Sequence, residues 1–197
     1  MKNSSNNQDV RYLIYEEELE ELAYKPSNVI SKALFKFTRI FAPRTDLDYS
    51  LSVPVSDYLR GELFCDDVSE AMEETFSQTD LINLLLADFL YQAKRRSNPY
   101  DLYHYLASRE KPSIQIYSYN GENKVQSGKR VRRKKMTCSI KRKDALRLEV
   151  MLSDIADLDQ DKAFTVNEVL LILYSDFIQK YKNGSLTNVL ERIIGRL

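Results

Sequence analysis

The strongest constraint on the fold is a stretch of nineteen residues that occurs twice. Residues 76–94 read FSQTDLINLLLADFLYQAK, and residues 164–182 read FTVNEVLLILYSDFIQKYK. The two stretches align without a gap, and five of the nineteen positions are identical. Each copy is apolar at helical spacing: Leu81, Leu85 and Phe89 in the first, and Val169, Leu173 and Phe177 in the second. A repeated amphipathic helix indicates a duplicated structural unit, with two unrelated amphipathic helices as the alternative.

Each copy begins with a helix start signal. Ser77 is followed three residues later by Asp80, and Thr165 is followed in the same way by Glu168. In such a capping box the hydroxyl accepts a hydrogen bond from a free N–H group, and the acid reaches back to the cap residue. The pattern predicts that both helices begin at equivalent positions.

A short strand and a helix precede each copy. Apolar and hydroxyl residues alternate in 49–53 and again in 136–140, and this period of two predicts strands. Helices are predicted for 56–72, with Leu59, Leu63, Val68 and Met72 as the apolar residues, and for about 143–158, with Leu148, Leu152 and Ile155.

The remaining segments flank or connect these two repeats. Residues 95–135 form a long connector, in which Tyr100–Leu106 predict a short helix. Ile114 and Ile116 predict a strand that ends at Asn120-Gly121. The predicted organisation is a disordered tail (1–9), an N-terminal helical segment (10–44), the first repeat (45–94), the connector (95–135), the second repeat (136–184) and a C-terminal helix (185–197). In the N-terminal segment, residues 10–23 begin strand-like and continue as an acidic helix, and residues 27–41 predict a helix with apolar and basic faces.

The charges are distributed unevenly although the whole chain is formally neutral. Residues 49–94 hold two Lys and Arg against nine Asp and Glu, a net charge of −7. Residues 95–147 hold fifteen against four, a net charge of +11. Six of the seven residues in Lys129–Lys135 are basic. Such asymmetry favours an anionic partner, with a solvated and mobile linker as the alternative for the basic run.

The sequence does not indicate a membrane-spanning, secreted, metal-binding or nucleotide-binding protein. No apolar run approaches the ~20 residues that cross a bilayer, and the first nine residues contain no apolar stretch typical of a secretory signal. His104 is the only histidine, Cys65 and Cys138 are the only cysteines, and no glycine-rich phosphate loop is present. We expect a cytoplasmic protein with reduced thiols, no membrane association, no cofactor or metal, and no enzymatic activity. His104 and Cys138 are interpreted as packing or surface residues.

The two repeats resemble the ribbon-helix-helix fold of the MetJ/Arc superfamily of DNA-binding proteins. The matching stretches are YSLSV…LRGELF…FSQTDLINLLLADFL and MTCSI…LRLEVM…FTVNEVLLILYSDFI. The resemblance implies a mainly α fold with a short β-ribbon, in which two units pair their strands antiparallel over four helices. A two-stranded ribbon of this kind fits the major groove of B-DNA. Two units in one chain are similar to the TraY proteins of conjugative relaxosomes, but this connector is longer, so pairing within one chain and pairing between chains both remain open.

Strand alternation and this resemblance together imply a set of DNA-binding residues. The outward residues of the second strand are Lys135, Thr137, Ser139 and Lys141, and those of the first include Ser50 and Ser52. Asp48 and Pro54 also face outward, but they are poor DNA contacts. Ser77, Thr165 and Asn167 lie at the helix starts, where N–H groups suit a phosphate. The basic residues near the second strand complete the set: Lys129, Arg130, Arg132, Arg133, Lys134, Arg142 and Lys143.

The expected function is sequence-specific binding of double-stranded DNA. Such a protein acts as a transcriptional repressor or other regulator, or as an accessory factor in a plasmid, conjugation or partition complex. The alternative is a protein-binding adaptor or dimerisation module that keeps the fold without reading DNA. The N-terminal segment and the connector are expected to serve self-association or a protein partner. The tyrosines near the basic run either stack on bases or pack the connector: Tyr100, Tyr103, Tyr105, Tyr117 and Tyr119.

Overall fold

The computed structural model describes residues 12–24, 45–95, 98–109, 115–119, 122–126, 131–158 and 163–186, together with Ile193 and Gly195. Within these residues the protein is mainly helical, with two small two-stranded sheets. The elements are α1 (Leu13–Ala23), β1 (Asp46–Pro54), α2 (Val55–Met72), α3 (Gln78–Arg95), α4 (Pro99–Ala107), β2 (Gln115–Tyr119), β3 (Glu122–Gln126), β4 (Arg133–Lys141), α5 (Arg142–Ala156) and α6 (Val166–Lys182).

Both repeats therefore contain the predicted order of strand, helix and helix. Helices α3 and α6 begin directly after Ser77 and Thr165, where the capping signals place their starts. Strands β1 and β4 are each nine residues long and extend beyond the predicted 49–53 and 136–140 at both ends. The basic residues Arg133, Lys134 and Lys135 are consequently part of a strand.

Strands β1 and β4 pair with each other to form one sheet within a single chain. The N–H of Val55 donates to the carbonyl of Arg132 at 2.9 Å, and the N–H of Arg142 donates to the carbonyl of Thr45 at 2.8 Å. The end of each strand thus lies beside the start of the other, which makes the pair antiparallel. We call this strand pair the ribbon.

The contacts divide the chain into two compact units. The smaller unit comprises Met1–Leu47 and Ile140–Val166, and the larger comprises Asp48–Ser139 and Asn167–Leu197. Most of the ribbon, Asp48–Pro54 with Arg133–Ser139, belongs to the larger unit.

In the smaller unit, α1 packs on α5. The apolar residues predicted for this second-repeat helix, Leu148, Leu152 and Ile155, are all buried. The hydroxyl of Tyr12 lies 3.2 Å from the carbonyl oxygen of Leu152 and 3.1 Å from that of Phe164. The sequence-based expectation of a strand-like start to this segment is wrong from Leu13 onward, because α1 begins there.

The N-terminus of α1 is capped from α5 instead of by its own N-cap residue. Tyr12 makes no side-chain cap, and the buried carboxylate of Glu149 accepts a hydrogen bond from the N–H of Tyr15 at 2.8 Å. Burial raises the pKa of Glu149 above its usual range, while hydrogen bonds from Tyr15 and Ile14 act in the opposite direction. A helix start that lacks a local cap is therefore fixed by a residue far along the chain.

In the larger unit, α2, α3 and α6 enclose an apolar core. Phe64 makes edge-to-face contacts with Phe177 and Tyr181, each with ring centroids 5.1 Å apart. Leu81, Phe89, Val169, Leu173 and Phe177 of the repeated helices are buried as the periodicity predicted, and Leu85 is half-buried.

The predicted apolar face of α2 is correct for Val68, which is buried, but wrong for Leu59 and Leu63. Leu59 and Leu63 are 53% and 56% exposed, and the buried positions are Asp57, Gly61, Phe64, Cys65 and Val68. Helix α2 carries aliphatic residues on two sides, and only the side with Phe64 and Val68 faces the core.

The connector has structure of its own. Helix α4 matches the predicted helix, its Asn98 side chain accepts from the N–H of Tyr100 at 3.0 Å, and Pro99 opens the first turn. Strand β2 pairs antiparallel with β3, from Gln115 opposite Gln126 to Tyr119 opposite Glu122, and the sequence had indicated only the first of these strands. Several expectations lie outside the described residues: the tail 1–9, the helix 27–41, Ile114, Asn120-Gly121 and most of 185–197.

Candidate nucleic-acid interface

The ribbon has one buried face and one exposed face, as strand alternation requires. Leu51 and Val53 of β1 are buried, and so are Met136, Cys138 and Ile140 of β4. On the opposite face, within the larger unit, Ser50, Ser52, Arg133, Lys135 and Thr137 are exposed and Ser139 is half-buried. Asp48 is exposed and Pro54 is half-buried on the same side.

The hydrogen bond from Val55 to Arg132 defines which of these residues face each other. Counting back along β1 and forward along β4 places Pro54 opposite Arg133, Ser52 opposite Lys135, Ser50 opposite Thr137 and Asp48 opposite Ser139. The Cys138 thiol, 3.6 Å from the carbonyl oxygen of Tyr49, agrees with this register. The exposed residues occupy the non-hydrogen-bonded pairs, in which side chains approach each other most closely.

The basic run is divided between the strand and the residues before it. Lys129 and Arg130 lie outside the described residues, Arg132 is exposed just before β4, and the next three residues are in the strand. The expectation of a basic arm that ends where the strand begins is therefore corrected for Arg133, Lys134 and Lys135.

Two of these cations make side-chain contacts at one end of the ribbon, Arg133 to strand β1 and Lys134 to helix α2. The guanidinium of Arg133 donates to the Ser52 hydroxyl at 3.1 Å and also to the Ser52 carbonyl. The ammonium of Lys134 lies 3.6 Å from the ring centroid of Tyr58, a cation–π contact. These contacts orient positive charge along one end of the ribbon. No sequence pattern had linked Tyr58 to this site.

A groove of about 500 Å³ runs beside β4. Its lining includes Lys135 and Thr137 from the strand, Tyr58 and Glu62 from α2, and Ser77 before α3. The exposed carboxylates of Glu62 and Asp66 give this side of the ribbon negative charge, so the groove favours a phosphate less than the strand surface does.

The start of α3 forms the capping box that the sequence predicted. The N–H and the hydroxyl of Ser77 both donate to Asp80, at 2.8 and 2.6 Å. The Ser77 hydroxyl also accepts from the N–H of Asp80 at 3.3 Å. A phosphate at this helix start has to approach a position that a carboxylate already occupies.

Asn83, one turn further along α3, also contacts the ribbon. Its side-chain amide donates to the carbonyl of Ser139 at 3.0 Å. This contact supports β4 from α3 within the larger unit, and sequence reasoning did not identify it because asparagine in a helix has no single preferred role.

The remaining predicted DNA-contact residues differ from one another in exposure. In the smaller unit Lys141 and Lys143 are exposed and Thr165 is half-buried, and in the larger unit Asn167 is exposed in the first turn of α6. Arg142 does not extend the exposed basic surface, because its side chain is only 14% exposed and forms salt bridges with Glu17 and Glu18 of α1.

The tyrosines of the connector divide between packing and exposure. Tyr105 packs against Phe89, and the Arg109 guanidinium lies 3.7 Å from its ring centroid. Tyr103 contacts the exposed His104 edge-to-face, with ring centroids 5.6 Å apart, and Tyr100 is exposed. The side chains of Tyr117 and Tyr119 are outside what the structure describes.

The described ranges contain no cluster of metal-binding side chains and no activated thiol. No group of three or more His, Cys, Asp or Glu side chains there could hold a metal ion. Burial raises the pKa of Cys65 to about 12 and that of Cys138 to about 11, so neither thiol is an activated nucleophile. No helix in the same ranges has the length and apolar character needed to cross a membrane.

Comparisons with protein-family models, with curated protein sequences and with solved structures find no match to this chain.

Proposed function

We propose that this chain is a sequence-specific double-stranded DNA-binding protein that places the exposed face of the ribbon in the major groove. The observation that carries the proposal is the composition of that face, on which exposed hydroxyl side chains lie beside Arg133 and Lys135. Arg132, just before β4, and Lys134, whose ammonium lies over the Tyr58 ring, bring the cations at this end of the ribbon to four. Lysine, arginine and hydroxyl groups donate to phosphates and to guanine acceptors. The apolar face beneath them is buried.

The order of elements supports the proposal that the chain contains two tandem ribbon-helix-helix units. Each repeat supplies one strand and two helices, and the strands pair within the chain. In this arrangement one chain takes the place of a dimer. The protein then acts as a transcriptional regulator, or as an accessory factor of a plasmid, conjugation or partition complex.

Salt dependence of DNA binding tests this function. If each of the four cations neutralises one phosphate, the logarithm of the affinity falls with the logarithm of salt concentration with a slope of about −3.6. The measurement is fluorescence anisotropy with labelled duplexes of about 30 base pairs, titrated from about 50 to 200 mM salt. Arg132→Ala lowers the slope by about one, and Lys94→Ala, an exposed lysine near the end of α3, leaves it unchanged. A flat salt response of the wild-type protein would sink the proposal.

A second candidate function is docking of a partner protein on α2. Val55, Leu59 and Leu63 form a stripe at helical spacing that is 42%, 53% and 56% exposed. Exposed carboxylates adjoin it: Glu62, Asp66, Asp67 and Glu70. The face is acidic and therefore repels DNA. Its complement is a partner helix that is apolar on one side and basic on the other.

A defined peptide tests this second function. The probe is a synthetic amphipathic helix of leucine and lysine, and its control has glutamate in place of lysine. The lysine peptide binds the wild-type protein and Tyr91→Asp, a matched change at a residue that is 62% exposed on α3, but not Leu63→Asp. Equal binding to all three proteins, or equal binding of the two peptides, rules out this docking face.

A further inference from the structure

The two strands of the ribbon present equivalent outward residues that share hydroxyl chemistry at the centre and differ in charge further out. Aligning the buried residues Leu51 and Val53 with Cys138 and Ile140 makes Ser50 equivalent to Thr137 and Ser52 equivalent to Ser139. These pairs keep the same hydroxyl chemistry. The preceding outward position is Asp48 in β1 and Lys135 in β4, so a carboxylate stands where the other repeat has an ammonium.

These two residues occupy corresponding places on the exposed face. The central pair is Ser50 opposite Thr137, and the neighbouring pairs are Asp48 opposite Ser139 and Ser52 opposite Lys135. Asp48 and Lys135 therefore lie one pair away from the centre, in opposite directions and on opposite strands. A two-fold rotation about the central pair exchanges their positions, and both side chains are exposed.

In the major groove the two side chains select different bases. Lysine donates to the O6 and N7 acceptors of guanine, whereas aspartate accepts from the N4 amino group of cytosine. A palindromic site presents the same base to two positions related by a two-fold rotation. A lysine at one position and an aspartate at the other are not both satisfied by such a site.

We propose that the ribbon recognises a non-palindromic DNA site, in which Lys135 faces guanine and Asp48 faces cytosine at the two positions flanking a pseudo-symmetric centre. The inference rests on the proposed DNA-binding function and adds the class of site. Asp48 is then a specificity residue that excludes guanine through repulsion of its O6 and N7 atoms. The central part of the DNA site is expected to be symmetric, because both strands present hydroxyl side chains there: Ser50, Ser52, Thr137 and Ser139.

Selection of binding sites from a random duplex library tests the inference with the full chain. The wild-type protein yields a motif whose symmetry is broken at the two related positions that Asp48 and Lys135 face. Asp48→Lys makes the motif palindromic there, with guanine at both positions. Asp48→Asn, which keeps the size of the side chain, reduces the preference for cytosine on the order of tenfold.

The outcomes separate this inference from the function on which it rests. Enrichment of a fully palindromic motif by the wild-type protein, or an unchanged motif for Asp48→Lys, overturns the inference and leaves DNA binding standing. Absence of enrichment at low salt overturns both. Because Asp48 is exposed, circular dichroism of both variants is expected to match that of the wild-type protein.

Discussion

The hydroxyl of Tyr174 fills the space that a side chain at position 61 would need. A Cβ placed on Gly61 lies 2.1 Å from the Tyr174 hydroxyl oxygen and 3.0 Å from the adjoining ring carbon. The hydroxyl is 2.7 Å from the Gln78 side-chain oxygen and 3.2 Å from the Asp57 carbonyl oxygen. Helices α2 and α6 thus approach closely in the larger unit because one supplies a glycine and the other a tyrosine.

Gly61→Ala is therefore expected to destabilise the protein although alanine favours helices. Alanine gains about 1 kcal/mol of helix propensity over glycine. The overlap with a buried tyrosine forces α2 or α6 to shift, and overpacking of this kind costs roughly 1–3 kcal/mol. Urea denaturation measures the difference, and an unchanged midpoint would contradict the packing described for this position.

The double variant Gly61→Ala/Tyr174→Phe separates the overlap from the hydrogen bonds. Tyr174→Phe alone loses the contacts to Gln78 and Asp57, at a cost of about 1 kcal/mol. In the double variant the closest contact is removed, so the two changes cost less together than the sum of their separate effects. Strict additivity would show that the two residues do not meet.

Glu149 gives the smaller unit a pH dependence of defined sign. Because burial raises its pKa in the folded state, the folded protein holds this proton more tightly than the unfolded chain does. The corresponding stability is fully present below the unfolded pKa of about 4.5 and is lost as pH rises through the raised folded value. Glu149→Gln keeps an oxygen acceptor for the N–H of Tyr15 and removes the titration.

The unfolding free energy of wild-type protein relative to Glu149→Gln is therefore expected to fall as pH increases from about 4.5 toward neutrality. Urea titrations at four pH values measure this difference. Asp154→Asn, an exposed acid on the same helix, is the control and has a smaller effect. A difference that rises with pH would show that the hydrogen bonds from Tyr15 and Ile14 outweigh burial.

Variants of the capping box at α3 distinguish a structural role of Ser77 from a role in DNA binding. Ser77→Ala removes a cap that is typically worth about 0.5–2 kcal/mol, so the thermal midpoint falls. Asp80→Asn reduces the negative charge at the helix start. If a phosphate binds there, this variant binds DNA more tightly at low salt despite a weaker cap. Unchanged affinity for DNA would restrict Ser77 and Asp80 to the capping role.

Local patterns predicted much of the fold. Alternation identified the buried faces of β1 and β4, and the Ser77–Asp80 pattern predicted where α3 begins. Each of these signals acts over a few neighbouring residues, so its physical cause is contained in a short stretch of sequence. The exposed side of Thr137 and Lys135 followed from the same alternation.

Contacts between distant segments were not predictable in this way. Arg142 looked like part of the basic surface, but it is paired with glutamates 124 and 125 residues earlier in the chain. In α2 both the side with Leu59 and Leu63 and the side with Phe64 and Val68 are apolar. The choice between them depends on which neighbouring elements cover the helix, and helical periodicity carries no information about that.

The reactivity of the Cys138 thiol measures how often the buried face of the ribbon becomes accessible to solvent. The thiol lies on the buried face, beside the carbonyl of Tyr49, and burial raises its pKa to about 11. In a Cys65→Ser background, we expect labelling at pH 8 to be at least about 100-fold slower in the native protein than in urea. Val53→Ala loosens the ribbon core and accelerates labelling. Rapid labelling of the parent protein would contradict a closed ribbon.

The strand register places Thr137, but not Arg132 or Lys134, where a side chain can contact base edges. Thr137 is central on the exposed face, whereas Arg132 precedes β4 and Lys134 lies against Tyr58. Thr137→Ala is therefore expected to reduce discrimination between the selected site and random DNA by about 1–3 kcal/mol. Arg132→Ala and Lys134→Ala weaken binding to both DNAs alike, because phosphate contacts carry no sequence information. Anisotropy titrations with the two duplexes at one salt concentration measure both effects, and equal losses for all three variants would refute the register.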